Sequence, residues 1–146
     1  EIYVERDEVV LKKYSPLFNA DGLADGVAQC LASRTGHTAL VCDRDAFLSG
    51  SGAGVREIIS KSVSKAIAGL MTGEKTAVVN QSDGSAPIEL TDGETYGFCN
   101  ELFIPIKTKN DVIGGILLAD KGKDQSVSSL DISLTALSAD FLASHF

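Results

Sequence analysis

Two apolar runs, Leu102-Phe-Ile-Pro-Ile106 and Val112-Ile-Gly-Gly-Ile-Leu-Leu118, flank a turn at Lys109-Asn110-Asp111. A strand with one wet face alternates apolar and polar residues, whereas near-continuous apolar character belongs to strands covered on both faces. The pair is therefore expected as a hairpin at the centre of a sheet with a layer of structure on each side. Pro105 donates no ladder hydrogen bond, so a bulge or a missing bond is expected there.

The remaining segments supply those layers. Leu23, Val27 and Leu31, with Cys30 beside them, keep helical spacing; Asp21 is a candidate N-cap and Gly36 a stop, which predicts a helix over residues 22–34. Thr38–Cys42 and Ala46–Ser49 read as a second hairpin around the polar turn Asp43-Arg44-Asp45. Ile59, Val63, Ile67 and Leu70 form one stripe of a helical stretch from Val55 to Leu70, with Ser60 or Lys61-Ser62 expected as a break between a short and a longer helix and a stop at Gly73. Thr76–Val79 and Pro87–Leu90 are weak strand candidates around a turn-rich stretch at 81–85. Near the end, Ser126 to Ser129 offer caps to a helix with two apolar stripes. One contains Leu130, Leu134, Leu137 and Phe141, and the other Ile132, Ala136, Ala139 and Ala143. Two stripes need two partners: one is expected to be the sheet, and the Ala-lined one a helix of a second subunit. This order of elements predicts an α+β fold, an antiparallel sheet with helices on its faces.

Composition narrows the function classes. At 146 residues the chain is the size of one domain, and it needs neither disulfide nor metal to hold a core. Its net charge of −7 concentrates in the second half, where 11 acidic residues face 5 basic ones, and this disfavours direct binding to nucleic acid or anionic lipid. No apolar run reaches membrane-spanning length, no leader pattern is visible, and the expected location is the cytoplasm. Cys30, Cys42 and Cys99 lack CxxC spacing and nearby His, so no zinc site or disulfide framework is expected, and no cofactor. The opening Glu1-Ile2-Tyr3-Val4 reads as a strand in progress, paired through Glu5–Glu8 with Val9–Leu11 and stopped at Pro16, so the chain is expected to be part of something longer.

Two stretches resemble known families. Glu1-Ile-Tyr-Val4, followed by Val9-Val-Leu-Lys-Lys-Tyr-Ser-Pro16, is similar to the end of the swapped-hairpin DNA-binding domain of AbrB-type regulators. His37-Thr-Ala-Leu-Val-Cys42-Asp-Arg-Asp45, continuing through Ser51-Gly52 to Ile59-Ser-Lys-Ser-Val-Ser64, resembles the sensory half of the stage V sporulation protein T family. Ile104-Pro105-Ile106 and Ile113-Gly114-Gly115-Ile116-Leu117-Leu118 also resemble the broad GAF signature. The resemblance implies a remnant of the DNA-binding domain over residues 1–16 and a GAF-like sensory and dimerisation domain over 17–146. It implies a homo-oligomeric transcription regulator of sporulation that reaches DNA only through the preceding domain, with no membrane partner and no enzymatic activity. The sequence departs from the family pattern at Gly50 and Ala53-Gly54-Val55, and the residue set of cyclic-nucleotide GAF domains is absent.

On this reading a small unknown ligand lies between the sheet and the Gly50–Leu70 segment, lined by Cys42, Phe47, Ser49, Ser51, Gly52, Lys61, Ser62 and Phe103. The glycines at 50, 52 and 54 let backbone N–H groups approach an anionic or carbonyl ligand, or simply make a turn. Lys61 and Ser62 line a pocket, or form a solvated lysine beside a cap. Tyr96, Phe98 and Phe103 close an apolar pocket, or are core. Two alternatives stay open: an oligomerisation module that binds nothing, and a thiol-based redox protein using Cys42 and Cys99, like the GAF-type methionine sulfoxide reductases but without their cysteine pattern. His37 and His145 belong to no recognisable triad motif.

Overall fold

A computed structural model of the chain describes residues 2–5, 8–11, 15–17 and 22–146. Strands β1 (Ile2–Glu5) and β2 (Glu8–Leu11) form a separate antiparallel hairpin with Ile2 opposite Leu11. The expected cap at Asp21 and the end of the first hairpin at Lys12–Tyr14 lie outside the described residues. The remaining elements are α1 (Leu23–Thr35), β3 (Thr38–Asp43), β4 (Phe47–Ser51), α2 (Lys65–Thr72), β5 (Ala77–Val79), β6 (Asn100–Lys107), β7 (Val112–Asp120) and α3 (Ser129–Ala143). β3 to β7 make one antiparallel sheet in the order β4-β3-β7-β6-β5.

The central hairpin lies where its sequence predicts. Alternate residues of β6 enter two cores: Leu102, Ile104 and Ile106 pack with Val27, Leu31, Ala139 and Leu142 of α1 and α3, while Phe103 packs with Ile58, Ile67 and Met71 on the other face. Pro105 stays in register opposite Gly115, and the expected irregularity falls one step later, between Ile106 and Lys107. Gly114 and Gly115 exist for close approach. A Cβ on Gly115 would stand 2.2 Å from the Phe103 ring, and one on Gly114 would stand 2.1 Å from the Cys42 carbonyl oxygen. Gly115→Ala should therefore lower stability by about 1–3 kcal/mol through overpacking, read as a lower urea midpoint; an unchanged midpoint would mean that Phe103 yields freely.

Three elements differ from the sequence expectation. The helical stretch from Val55 is only a short 3-10 turn at Val55–Glu57, and α2 starts at Lys65 behind a Ser64 cap whose Oγ accepts the Ile67 N–H. Between them Ser60 takes a left-handed φ of 73°, and Phe47 exchanges backbone bonds with Ser60 and Lys61, so the chain is tied to β4 instead of coiling. Residues 87–90 make no strand.

The third difference is in α3, where Asp131, Thr135, Ala139 and Leu142 are the buried positions, while Leu130, Leu137 and Phe141 are 66%, 67% and 47% exposed. Ala139, expected against a second subunit, is core. Sheet strands at close range accept small residues, which leaves the bulky stripe outside.

Candidate functional site

Between β5 and β6, residues 80–99 run without a strand across the face of the sheet that carries α2. Buried Leu90 and Phe98 anchor this segment to the core, and Ser64 holds it at α2 through its N–H to the Leu90 carbonyl and its Oγ to the Glu89 carbonyl. Held at these and a few other points and not by a continuous ladder, the segment leaves a cleft of 480 Å³ against β6. Its walls include Pro87, Ile88, Leu90, Tyr96 and Phe98, and Glu101 of β6 lies at its base.

The carboxyls of the cleft differ in their surroundings. Glu94 Oε2 accepts bonds from Lys61 Nζ at 2.5 Å and the Tyr96 hydroxyl at 2.6 Å, and Lys61 also stands 5.5 Å from the Tyr96 ring centroid. The Lys61 bond, then that of Tyr96, lowers the Glu94 pKa, and the Glu94 bond raises that of Lys61. Glu89 Oε1 accepts the Gly93 N–H. Glu101 is only 1% exposed, and its carboxyl accepts the Ile88 N–H at 2.5 Å. No cation among the described residues pairs with it. Burial pushes it up to about 7, against a smaller opposing effect of the Ile88 bond.

A second polar cluster lies at the edge of the opposite face. His37, 4% exposed, faces Asp120 through Nδ1 at 3.0 Å and Asp131 through Nε2 at 2.9 Å. Both partners are held in turn: Asp120 Oδ1 accepts the Gly122 N–H, and Asp131 closes a capping box with Ser128 at the start of α3. Only the imidazolium donates from both nitrogens, so this geometry selects the charged form. Burial pulls the imidazole pKa down, but the two carboxylates together outweigh it and hold it above 6.5. The cluster was invisible to spacing, its members lying 83 and 94 residues apart.

The eight residues expected to line a ligand divide in four. Cys42, Phe47 and Phe103 come together, but as part of the packed core beneath α2, each no more than 1% exposed. Ser49 and Ser51 lie on β4 with Gly52 just past its end, and Gly50 and Gly52 are filled in by β3, where an added Cβ would meet Leu40 Cδ2 at 2.7 Å and the Thr38 Cα at 2.8 Å. Ser62 forms an isolated bridge with Ala46. Of the eight, Lys61 reaches the rim of the cleft, through Glu94 and Tyr96. The cleft itself is one segment further along the chain than expected, and Glu101, Ile88 and Leu90 are its unforeseen residues. Phe98 and Tyr96, read as pocket or core, are both: Phe98 is buried and lines the cleft.

Asp43 makes the expected turn, its Oδ1 accepting the Asp45 and Ala46 N–H groups, while Arg44 bonds Asp111. Cys42 pairs with Gly115 on β7, and the Cys99 N–H bonds Asp120, five residues further on, about 17 Å at strand rise. The two thiols are too distant for a disulfide, and burial, with the charge of Asp43, pushes that of Cys42 up to about 12. Among the described residues no group of three His, Cys, Asp or Glu side chains is arranged for a metal, and no helix is long and apolar enough to cross a membrane.

The last surface feature is a 630 Å³ groove between α1 and α3, lined by Leu23, Gly26, Val27, Cys30, Leu137 and Phe141.

This architecture, a five-stranded antiparallel sheet with two helices on one face and a short helix and long loop over the other, is that of a GAF domain. Among solved structures it superposes on the GAF domain of an Acinetobacter phosphoenolpyruvate-protein phosphotransferase with a TM-score of 0.68 and 14% identity, over 91% of this chain and 82% of that one. It also superposes on a type II free methionine-R-sulfoxide reductase from Thermoplasma acidophilum with a TM-score of 0.65 and 12% identity, over 88% and 91% of the two chains. These likenesses establish the fold alone. Residues 20–146 match the family described as "Stage V sporulation protein T C-terminal, transcription factor", and the chain belongs to it. Stage V sporulation protein T of Bacillus subtilis (strain 168) is 32% identical over 144 residues, covering 98% of this chain and 78% of that protein. The domain is thus the regulatory GAF domain of a transcription regulator.

Proposed function

We propose that this domain senses a small molecule in the cleft beside Glu101 and passes its occupancy to DNA binding through a dimer built on α1 and α3. The arrangement that carries the reading is one sheet with a cleft on one face and an unpartnered apolar groove on the other. Residues 1–16 are read as the end of an AbrB-type DNA-binding domain, and residues 17–146 as the sensor. Leu137 and Phe141, exposed beside the α1–α3 groove, favour burial against a second copy in a homodimer or homotetramer. The domain works by binding, without catalysis, since Cys42 is a protonated core thiol and both nitrogens of His37 are engaged.

Coupling requires that ligand distinguish two states of the helix pair, typically worth about 1–3 kcal/mol in such systems. A melting scan against amines, amino acids, nucleotides, sugar phosphates and small carboxylic acids tests the sensor. An effector at 100 times its Kd adds about 2.7 kcal/mol, or roughly 5–10 °C in a chain of this size. A flat panel with an intact dimer favours an oligomerisation module that binds nothing, the reading the groove supports by itself. Leu137→Glu should give a folded monomer by sedimentation, with operator binding lost when the domain is joined to its DNA-binding half; a dimer that survives the substitution would put the interface elsewhere.

A further inference from the structure

The cleft's chemistry narrows what it accepts. Its walls are apolar and partly aromatic, which suits a hydrocarbon body of a few carbons to a phenyl ring. The polar group at its base is the Glu101 carboxyl, which has one backbone donor and no cation. The other charged groups on the lining are acidic as well: Glu94 is already neutralised by Lys61, and Glu89 is held by the Gly93 N–H. No lysine or arginine lines the cleft. An anionic ligand would thus meet three carboxyls on the lining, the cation beside the Phe98 wall being Lys121, outside the lining with its Nζ 5.6 Å from that ring's centroid, while a hydrated metal ion would meet hydrophobic walls.

We propose that the cleft binds a small primary amine with an apolar body, its ammonium group pairing with the Glu101 carboxylate and its body lying against Ile88, Tyr96 and Phe98. This rests on the sensor reading above and names the ligand class of that same site. The ammonium supplies the charge partner that the fold withholds from Glu101, and three N–H donors satisfy the carboxylate oxygens left after the Ile88 bond. The hydrocarbon body displaces water from the aromatic wall.

The probes are 2-phenylethylamine, 2-phenylethanol and 3-phenylpropionate, titrated at pH 8 into the wild-type chain and Glu101→Gln, followed by amide chemical shifts of Ile88, Tyr96 and Phe98. The expected result is saturable binding of the amine to the wild type, with affinity at least tenfold weaker in Glu101→Gln and at least tenfold weaker for the alcohol and the acid. Amine binding that is equal in Glu101→Gln, or alcohol or acid binding that matches it, overturns the amine assignment and leaves the sensor reading standing. If no probe of any charge shifts these resonances, the amine assignment is overturned, and the metabolite scan then decides the sensor reading separately.

Discussion

Glu101→Gln is expected to melt above the wild type at pH 8 and level with it at pH 4.5. The unfolded chain releases the Glu101 proton near 4.5, whereas the folded chain keeps it until about 7. Below pH 4.5 both forms hold the proton and the variant gains nothing. As pH rises from 4.5 to 7 the wild type loses stability, because only its unfolded form ionises freely. The difference between the unfolded and folded values corresponds to about 3 kcal/mol above pH 7, or roughly 6–12 °C in melting temperature. Glutamine keeps an oxygen for the Ile88 N–H and has no charge to desolvate. Equal melting of the two proteins at pH 8 would show that water or a cation reaches the carboxylate in the folded state.

His37→Ala has the second large effect. Removing the imidazolium leaves Asp120 and Asp131 without their shared cation, and breaking a buried charged network in this way costs about 3–5 kcal/mol. The pH dependence has a definite sign. A folded-state pKa above 6.5 means that the His37 contribution is full below pH 6.5 and lost as pH rises through the folded value. Thermal melts of wild type and His37→Ala at pH 5.5 and pH 9 should therefore show a gap that narrows at the higher pH; a constant gap would assign the effect to packing alone. Glu101 and His37 act in the same direction, so the wild-type domain should gain stability as pH falls from 9 towards 5. Glu94, whose pKa is lowered by its Lys61 bond, acts oppositely only below its ordinary value of 4.5, outside this range, and through a solvent-exposed pair that contributes little.

The legible parts of this fold are those whose pattern is local. The β6–β7 hairpin and α1 declare themselves through apolar runs and helical spacing, and Gly36 ends α1 as expected. α3 was legible as a helix but not in its orientation, since both its stripes are apolar and only the sheet selects Thr135 and Ala139 over Leu137. The segment from 80 to 99 carries no period because it is held by a few anchors, Leu90 and Phe98 among them. Glu101 adjoins the apolar run that begins at Leu102, and no local signal separates a buried glutamate there from a solvated one. His37 joins partners from distant elements, which only tertiary structure brings together.

The Asp131–His37 contact also has a mechanical meaning. It ties the residue just past the Gly36 cap of α1 to the N-terminal end of α3, while Gly22 and Leu23, at the other end of α1, face Phe141 across an open groove. The two helices resemble scissor blades riveted near one tip. Thirteen residues of α1 make a lever of about 20 Å. A tilt of about 10° about the rivet displaces the Gly22 end by about 3.5 Å on that lever, while the histidine hardly moves. The largest excursion thus falls at the end of α1 from which the chain leads back towards the β1–β2 hairpin.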